Sequence, residues 1–199
     1  MLDVAAGNGM VSLAAARRWC DVTSTDYVAS LLERGRARAA AEGLSIEFKV
    51  ADAEELPFAD SSFDTVISTF GVMFTPNQDR AAAELLRVCK SGGQIGLTNW
   101  TPDGFIGQLF KTLGKYLPPP AAARSPMLWG TRARLTEMFG SAATWIKTEP
   151  RIFNFRYRRM NTSWTCSRLS TVQCSRRSPL SMFSSGPVWR KIFMPSSRA

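Results

Sequence analysis

Over its first 150 residues the chain alternates short apolar runs with amphipathic stretches, and this switching is the rhythm of βαβ units in a parallel sheet. Residues 2–5 form a short strand running into the turn Ala6-Gly7-Asn8-Gly9. The Ala-rich stretch 10–19 is a helix with Arg17 and Arg18 near its end, where cations suit the helix dipole. Residues 21–25 carry β-formers and end at Asp26. Over 29–42, Leu31, Leu32 and Ala39 share a helical face against Arg34, Arg36 and Arg38, and Gly43 stops that helix. Strands follow at 46–50 and 63–70, then an amphipathic helix at 78–88 closed by Ser91-Gly92-Gly93, and another strand at 94–99.

After Trp100 the rhythm changes. Phe105, Leu109, Leu113 and Leu117 mark one face of a helix that Pro118-Pro119-Pro120 must end, because prolines supply no backbone donors. Residues 131–139 read as a further helix and 144–155 as one or two strands. From Arg158 onward neither a strand nor a helix period persists, no acid occurs, and no segment qualifies as an antiparallel last strand. Residues 158–199 are therefore expected to form an irregular, disordered basic tail.

A chain of 199 residues, 45% of them hydrophobic, suffices for one domain with a real core. The absence of histidine excludes a Ser-His-Asp triad, a His-assisted cysteine nucleophile and every His-containing metal site. Cys20, Cys89, Cys166 and Cys174 make no C-x-x-C pair, so neither a zinc ribbon nor a disulfide framework is indicated. No leader pattern opens the chain, and no apolar run approaches the roughly 20 residues of a membrane span. The expectation is a soluble, cytoplasmic protein without metal or membrane attachment.

A net charge of +9 ordinarily points to a nucleic-acid partner. Its distribution argues otherwise: residues 1–150 hold 15 Lys and Arg and all 16 Asp and Glu, whereas residues 151–199 hold 10 basic residues and no acid. The basicity belongs to the tail.

Three acidic positions at strand ends carry the chemistry. Asp3, with Ala5, Ala6, Gly7 and Gly9 leading into a helix, is a D-x-A-x-G-x-G turn. Its glycines let the backbone approach a ligand, and its free N–H groups favour negative ligand groups. By itself it is equally a tight βα turn without a ligand. Asp26 ends the second strand, 17 positions after Gly9, where a carboxylate can accept both hydroxyls of a ribose, or simply cap the next helix. Asp52, followed by Ala53, Glu54 and Glu55, stands at the third strand's mouth, where it can accept from an adenine amino group or form a solvated acidic loop.

With these residues in place the sequence resembles the class I S-adenosylmethionine-dependent methyltransferases of the broad small-molecule group. The matching segments are Leu2-Asp3-Val4-Ala5-Ala6-Gly7-Asn8-Gly9, Thr25-Asp26, Ala51-Asp52-Ala53-Glu54-Glu55-Leu56-Pro57-Phe58, Ser62-Phe63-Asp64-Thr65-Val66-Ile67-Ser68 and Glu84-Leu85-Leu86-Arg87-Val88-Cys89-Lys90-Ser91-Gly92-Gly93. The resemblance runs to about Tyr157 and implies an α/β fold, a Rossmann-like doubly wound, mostly parallel sheet ordered 3-2-1-4-5-7-6. It implies that Asp3, Ala5, Gly7 and Gly9 hold the methionine end of S-adenosylmethionine, Asp26 the ribose, and Asp52 with Ala53 the adenine. Tyr27 would pack on the adenine, and Ser68 and Thr69 would end the fourth strand near the methyl group. Ala5 stands where the family more often has glycine, a mild change.

Phe70, Met73, Phe74 and Trp100 lie near the same edge and are candidates to line a small-molecule acceptor site, although each also suits ordinary core packing. Residues 100–130 would cover that site. No general base can be named, since Asp64, Glu84 and Asp103 all have adequate structural readings. A nicotinamide-dependent dehydrogenase is the competing reading of the core, but Ser12 stands where its third glycine belongs.

The two ends depart from the family. Met1 falls inside the first strand, leaving it incomplete, which points to a start assigned too late or a truncated gene. The tail lacks the last antiparallel strand and points to a shifted reading frame: from the third base of each codon, Met160-Asn161 must give Glu, Asn161-Thr162 His or Tyr, and Trp164-Thr165 Asp. The domain is thus expected to span residues 1–157. Two other outcomes remain: a non-catalytic or unstable cofactor-binding fragment, and nucleic-acid binding through the basic tail, with Trp164, Phe183, Trp189 and Phe193 as stacking surfaces.

Overall fold

In the computed structural model, residues 1–117, 124–154 and the strand 188–193 are described. Leu2–Val4 (β1) pairs in parallel with both Thr23–Asp26 (β2) and Phe63–Thr69 (β4). Glu47–Val50 (β3) adds in parallel to the outer side of β2, and Cys89–Asn99 (β5) in parallel to β4. The sheet continues antiparallel through Val188–Phe193 (β7) to Trp145–Glu149 (β6), giving the order β3-β2-β1-β4-β5-β7-β6. Five parallel strands therefore discharge at one edge, and the order reverses between β1 and β4, the crevice where open α/β sheets take ligands.

The antiparallel strand corrects the sequence expectation that the last strand is missing. Val188-Trp189-Arg190-Lys191-Ile192-Phe193 is rich in β-formers at its ends but shows no alternation, and it forms between two neighbours far away in sequence. The rest of the expected tail, and with it the positions bearing on the reading frame, lies outside the described residues.

Met10–Ala16 (α1) and Ala29–Ala41 (α2) pack against the sheet around Leu13, Leu32, Ala39 and Phe48. A close approach there requires glycine: a Cβ on Gly35, mid-helix in α2, would stand 2.7 Å from Phe48 Cε1 and 3.3 Å from Asn8 O. The larger core cluster joins β1, β4 and β5 to Gln78–Val88 (α3), Phe105–Gly114 (α4) and Arg132–Phe139 (α5) through Leu2, Val66, Leu85, Leu97, Trp129 and Phe139. The expected stop at Ser91-Gly92-Gly93 is a bulge within β5, across which the register jumps from Phe63 opposite Cys89 to Thr65 opposite Gln94.

Arg87, in the last turn of α3, fastens the loop that follows β3. Its guanidinium donates to Leu56 O at 2.9 Å and Phe58 O at 2.7 Å, and pairs with Glu84 at 2.7 Å and Asp60 at 2.8 Å. Glu84 Oε2 in turn accepts from Leu56 N at 2.6 Å, and the Arg87 hydrogen bond holds the Glu84 carboxyl below its ordinary range. The Leu-Leu-Arg-Val closure of α3 thereby positions the Asp52 loop.

Candidate active site

The turn after β1 bends through three left-handed residues, Ala5 (φ 52°), Gly7 (φ 59°) and Gly9 (φ 74°). Ala6 N donates to Thr25 O and Gly7 N to Asp26 Oδ2, both at 2.8 Å, so the turn is pinned to the exit of β2. A Cβ on Gly7 would meet only Leu31 Cδ1, at 3.7 Å, so that position is open on its other sides. Asp26 Oδ1 accepts from Val28 N at 2.9 Å. Asp26 does not cap α2, whose N-cap is Val28 without a side-chain cap bond; its Oδ1 steadies the turn into that helix, its Oδ2 holds the glycine turn, and each keeps a lone pair.

Asp3 is buried beneath this turn. Its Oδ2 accepts from Ser12 N at 3.0 Å and Ser12 Oγ at 2.6 Å, while its Oδ1 is buried without a partner. Burial pushes its carboxyl up to about 6, and the nearby Asp26 charge adds to the rise against the opposing Ser12 hydrogen bonds. Ser12, at the position where a dinucleotide fingerprint needs glycine, is committed to Asp3 and lies 2.9 Å from the Ser24 hydroxyl. That arrangement disfavours the dehydrogenase reading.

The other expected cofactor residues separate into exposed and enclosed groups. Tyr27 is 74% exposed at the mouth of β2. Asp52 is exposed, its Oδ1 accepting from Glu54 N at 2.9 Å, whereas the Ala53 side chain belongs to the core cluster. Ser68 is fully enclosed: its hydroxyl donates to Val4 O at 2.7 Å and accepts from Val72 N at 3.1 Å, joining β4 to the exit of β1. Thr69 Oγ1 is buried without a partner.

Among the expected acceptor-lining residues, Met73 is wholly buried in the core, within the 3-10 turn Val72–Phe74. Phe70, held at φ 64°, stacks on Trp100 with ring centroids 4.2 Å apart and an interplanar angle of 13°. Phe74 is 51% exposed and lies 6.2 Å from the Phe110 ring of α4. It opens onto a cavity of about 1000 Å³ bounded by residues 74–79, α4 and the 3-10 turn Pro126–Gly130. Of the four residues expected to line an acceptor site, only Phe74 is on the wall of this cavity; Phe70, Met73 and Trp100 are not among its lining residues.

Some polar groups here were not anticipated. Gln78, buried at the start of α3, donates through Nε2 to Ser125 O at 3.0 Å and accepts through Oε1 from Arg134 Nε at 3.3 Å. Asn99 ends β5 with both amide atoms buried and unpartnered. A polar residue closing a strand just before Trp100 was the available sequence signal for Asn99. Gln78 offers none, because its burial comes from α5 and the segment at 125.

A doubly wound sheet with a glycine turn at its switch point, acids within β1, at the end of β2 and after β3, and an antiparallel β7 between β5 and β6 has the architecture of class I S-adenosylmethionine-dependent methyltransferases. Residues 2–97 match the family described as the methyltransferase domain. An uncharacterised Mycobacterium tuberculosis protein is 48% identical over 149 residues, covering 74% of this chain and 54% of that protein. The ubiquinone/menaquinone biosynthesis C-methyltransferase UbiE of Brucella anthropi is 44% identical over 99 residues, 47% of this chain and 38% of that protein. The chain therefore spans about half the length of the mycobacterial relative. A solved S-adenosylmethionine-dependent methyltransferase from Methanosarcina mazei shares the fold, with a TM-score of 0.65 at 18% identity over 98% of this chain and 91% of that one.

The residues present fit that cofactor. The orphaned Asp3 Oδ1, the open side of Gly7 and the unused lone pairs of Asp26 are acceptors and space that nothing in the described residues consumes.

Proposed function

We propose that this chain catalyses methyl transfer from S-adenosylmethionine to a small-molecule acceptor held between the exits of β4 and β5 and α4. The observation that supports this is the cavity at Phe74 and Phe110, bounded by segments that follow β4 and β5 in the chain. When bound, the cofactor supplies an electrophilic methyl group on a sulfonium whose leaving group needs no proton, so positioning can provide much of the catalysis.

The chain's own residues perform the holding. Asp3, Gly7 and Gly9 take the methionine end, Asp26 the ribose, and Asp52 with the backbone at Ala53 the adenine, with Tyr27 closing over its face. Phe70 stacks on Trp100 just beyond β4, and Ser68 fixes the end of β4 against β1. No general base is assigned: Glu84 is engaged with Arg87, and Asp64 with Lys90 at 2.9 Å.

Cytoplasmic residence belongs to the same reading, supported by the unpaired Cys20 and Cys89. Among the described residues, no helix is long and apolar enough to cross a membrane. Calorimetric titration with S-adenosylhomocysteine, followed by a radiolabelled methyl-transfer screen over small acceptors, tests the proposal. A folded chain that does not bind S-adenosylhomocysteine overturns it, and binding without turnover on any acceptor leaves only a cofactor-binding fragment.

A further inference from the structure

The cavity beside Phe74 is built for an amphipathic ligand. Its volume of about 1000 Å³ lies at the upper end of the range for small-molecule sites. Phe74, Phe110, Leu113, Leu117 and Met127 supply apolar wall, and the charged groups that line it are Asp79, Lys111 and Arg124.

These three charges are not equivalent. Asp79 is engaged by two guanidinium groups, Arg134 at 2.6 Å and Arg124 at 3.1 Å, so its negative charge is already compensated. Arg134 is itself enclosed, with 4% of its side chain exposed, and fixed further by Glu137 at 2.8 Å and Gln78. Lys111, on the exposed side of α4, has no acidic partner among the described residues. The lining thus carries one uncompensated positive charge beside an apolar chamber, and that charge is the group that a ligand can use.

We infer that the cavity accepts an amphipathic anion, a carboxylate or phosphate ester on an apolar body, with the anionic group against Lys111 and the body against Phe74, Phe110 and Met127. This rests on the acceptor-site reading above and names its substrate class. An ion pair at an exposed lysine is worth up to roughly fivefold in affinity and reversing the lysine's charge adds a comparable repulsion, whereas the apolar wall alone does not distinguish an acid from an alcohol.

The test is calorimetric titration of the full chain, saturated with S-adenosylhomocysteine, with three probes of one chain length below their aggregation limits: dodecanoate, 1-dodecanol and dodecylamine. Dodecanoate is expected to bind tightest. Lys111→Glu is expected to weaken it by roughly tenfold or more while changing 1-dodecanol by less than about twofold. Lys115→Glu, a charge reversal beyond α4 and outside the cavity lining, is expected to leave both unchanged. Equal binding of all three probes, or an equal loss in Lys111→Glu and Lys115→Glu, overturns the anionic class. Absence of all probe binding in a chain that still binds S-adenosylhomocysteine overturns the cavity as the acceptor site without touching the cofactor assignment, and failure to bind S-adenosylhomocysteine strikes the earlier reading instead.

Discussion

Ala5 and Gly71 occupy a space with room for one methyl group. A Cβ on Gly71 would stand 2.1 Å from Ala5 O and 2.5 Å from Ala5 Cβ, so the side chain at the left-handed turn of β1 is accommodated only because residue 71 has none. The alanine is not a mild replacement for glycine: at φ 52° it carries a left-handed penalty of about 1–2 kcal/mol. Ala5→Gly removes that penalty but loosens the unfolded chain, for a net gain of roughly 0.5–1 kcal/mol, read as a higher midpoint in urea. Gly71→Ala is expected to lose about 2 kcal/mol or more, since backbone must move. The double variant should stay destabilised, because the 2.1 Å contact is to a carbonyl oxygen that glycine also has.

Asp3 makes the stability of the cofactor-free protein fall as pH rises. Its carboxyl titrates near 6 when folded against 3.8 ordinarily, so the folded state binds the proton more tightly. Its contribution is fully present below about pH 4 and is lost as pH climbs through about 6, a change on the order of 3 kcal/mol. Asp3→Asn keeps an acceptor for Ser12 but cannot ionise. The stability gap between the two proteins, from urea melts between pH 4 and 7.5, should therefore open in favour of Asp3→Asn across that window. Cofactor affinity should move the opposite way, strengthening in the parent as Asp3 ionises toward a cationic methionine end, and staying weak and flat in the variant. A parallel pH course for both proteins removes Asp3 from the site.

Asp26 joins a structural and a binding duty that substitution can separate. Asp26→Ala frees both Gly7 N and Val28 N, and about 1–2 kcal/mol of stability is expected to go with them. S-adenosylhomocysteine affinity should fall by a hundredfold or so, more than that loss of stability explains in a chain still folded at the assay temperature. Calorimetry at a temperature well below the melting midpoint checks this. An affinity unchanged within twofold would leave Asp26 only its structural duty of holding Gly7 N and Val28 N.

The parallel half of the fold was legible because each element announces itself locally: Leu31, Leu32 and Ala39 keep helical spacing, and Phe63–Thr69 is a segment of strand length rich in β-branched residues. Asp26 was legible as a strand end and ends β2, whereas Asp3 is the middle residue of β1, buried beneath the turn, and Asp52 lies two residues beyond β3. What escaped depends on partners distant in sequence. Val188–Phe193 becomes a strand only through β5 and β6, and Ala5 takes a left-handed conformation that its identity argues against. Arg134 of α5 is among the buried polar groups, enclosed by its partners Asp79 and Gln78 far away in sequence.

That buried arginine joins α3 and α5, and its removal should loosen the wall of the cavity. Arg134 Nη2 pairs with Asp79 at 2.6 Å, and Arg134 Nε donates to Gln78 Oε1, while Gln78 Nε2 holds Ser125 O. Arg134→Leu fills similar apolar volume but leaves the buried Gln78 oxygen without a donor and Asp79 with only the exposed Arg124. A loss of about 2–3 kcal/mol is expected, short of that for a fully buried ion pair because Asp79 is 58% exposed. Hydrogen exchange should rise at residues 125–130 and in α5 before it rises in β1 or β4, since those strands are held by the sheet and not by this network. Adding Gln78→Leu should recover part of the stability by removing the orphaned amide, and no recovery would mean that Arg134 acts through packing of its aliphatic stem rather than through the hydrogen bond to Gln78.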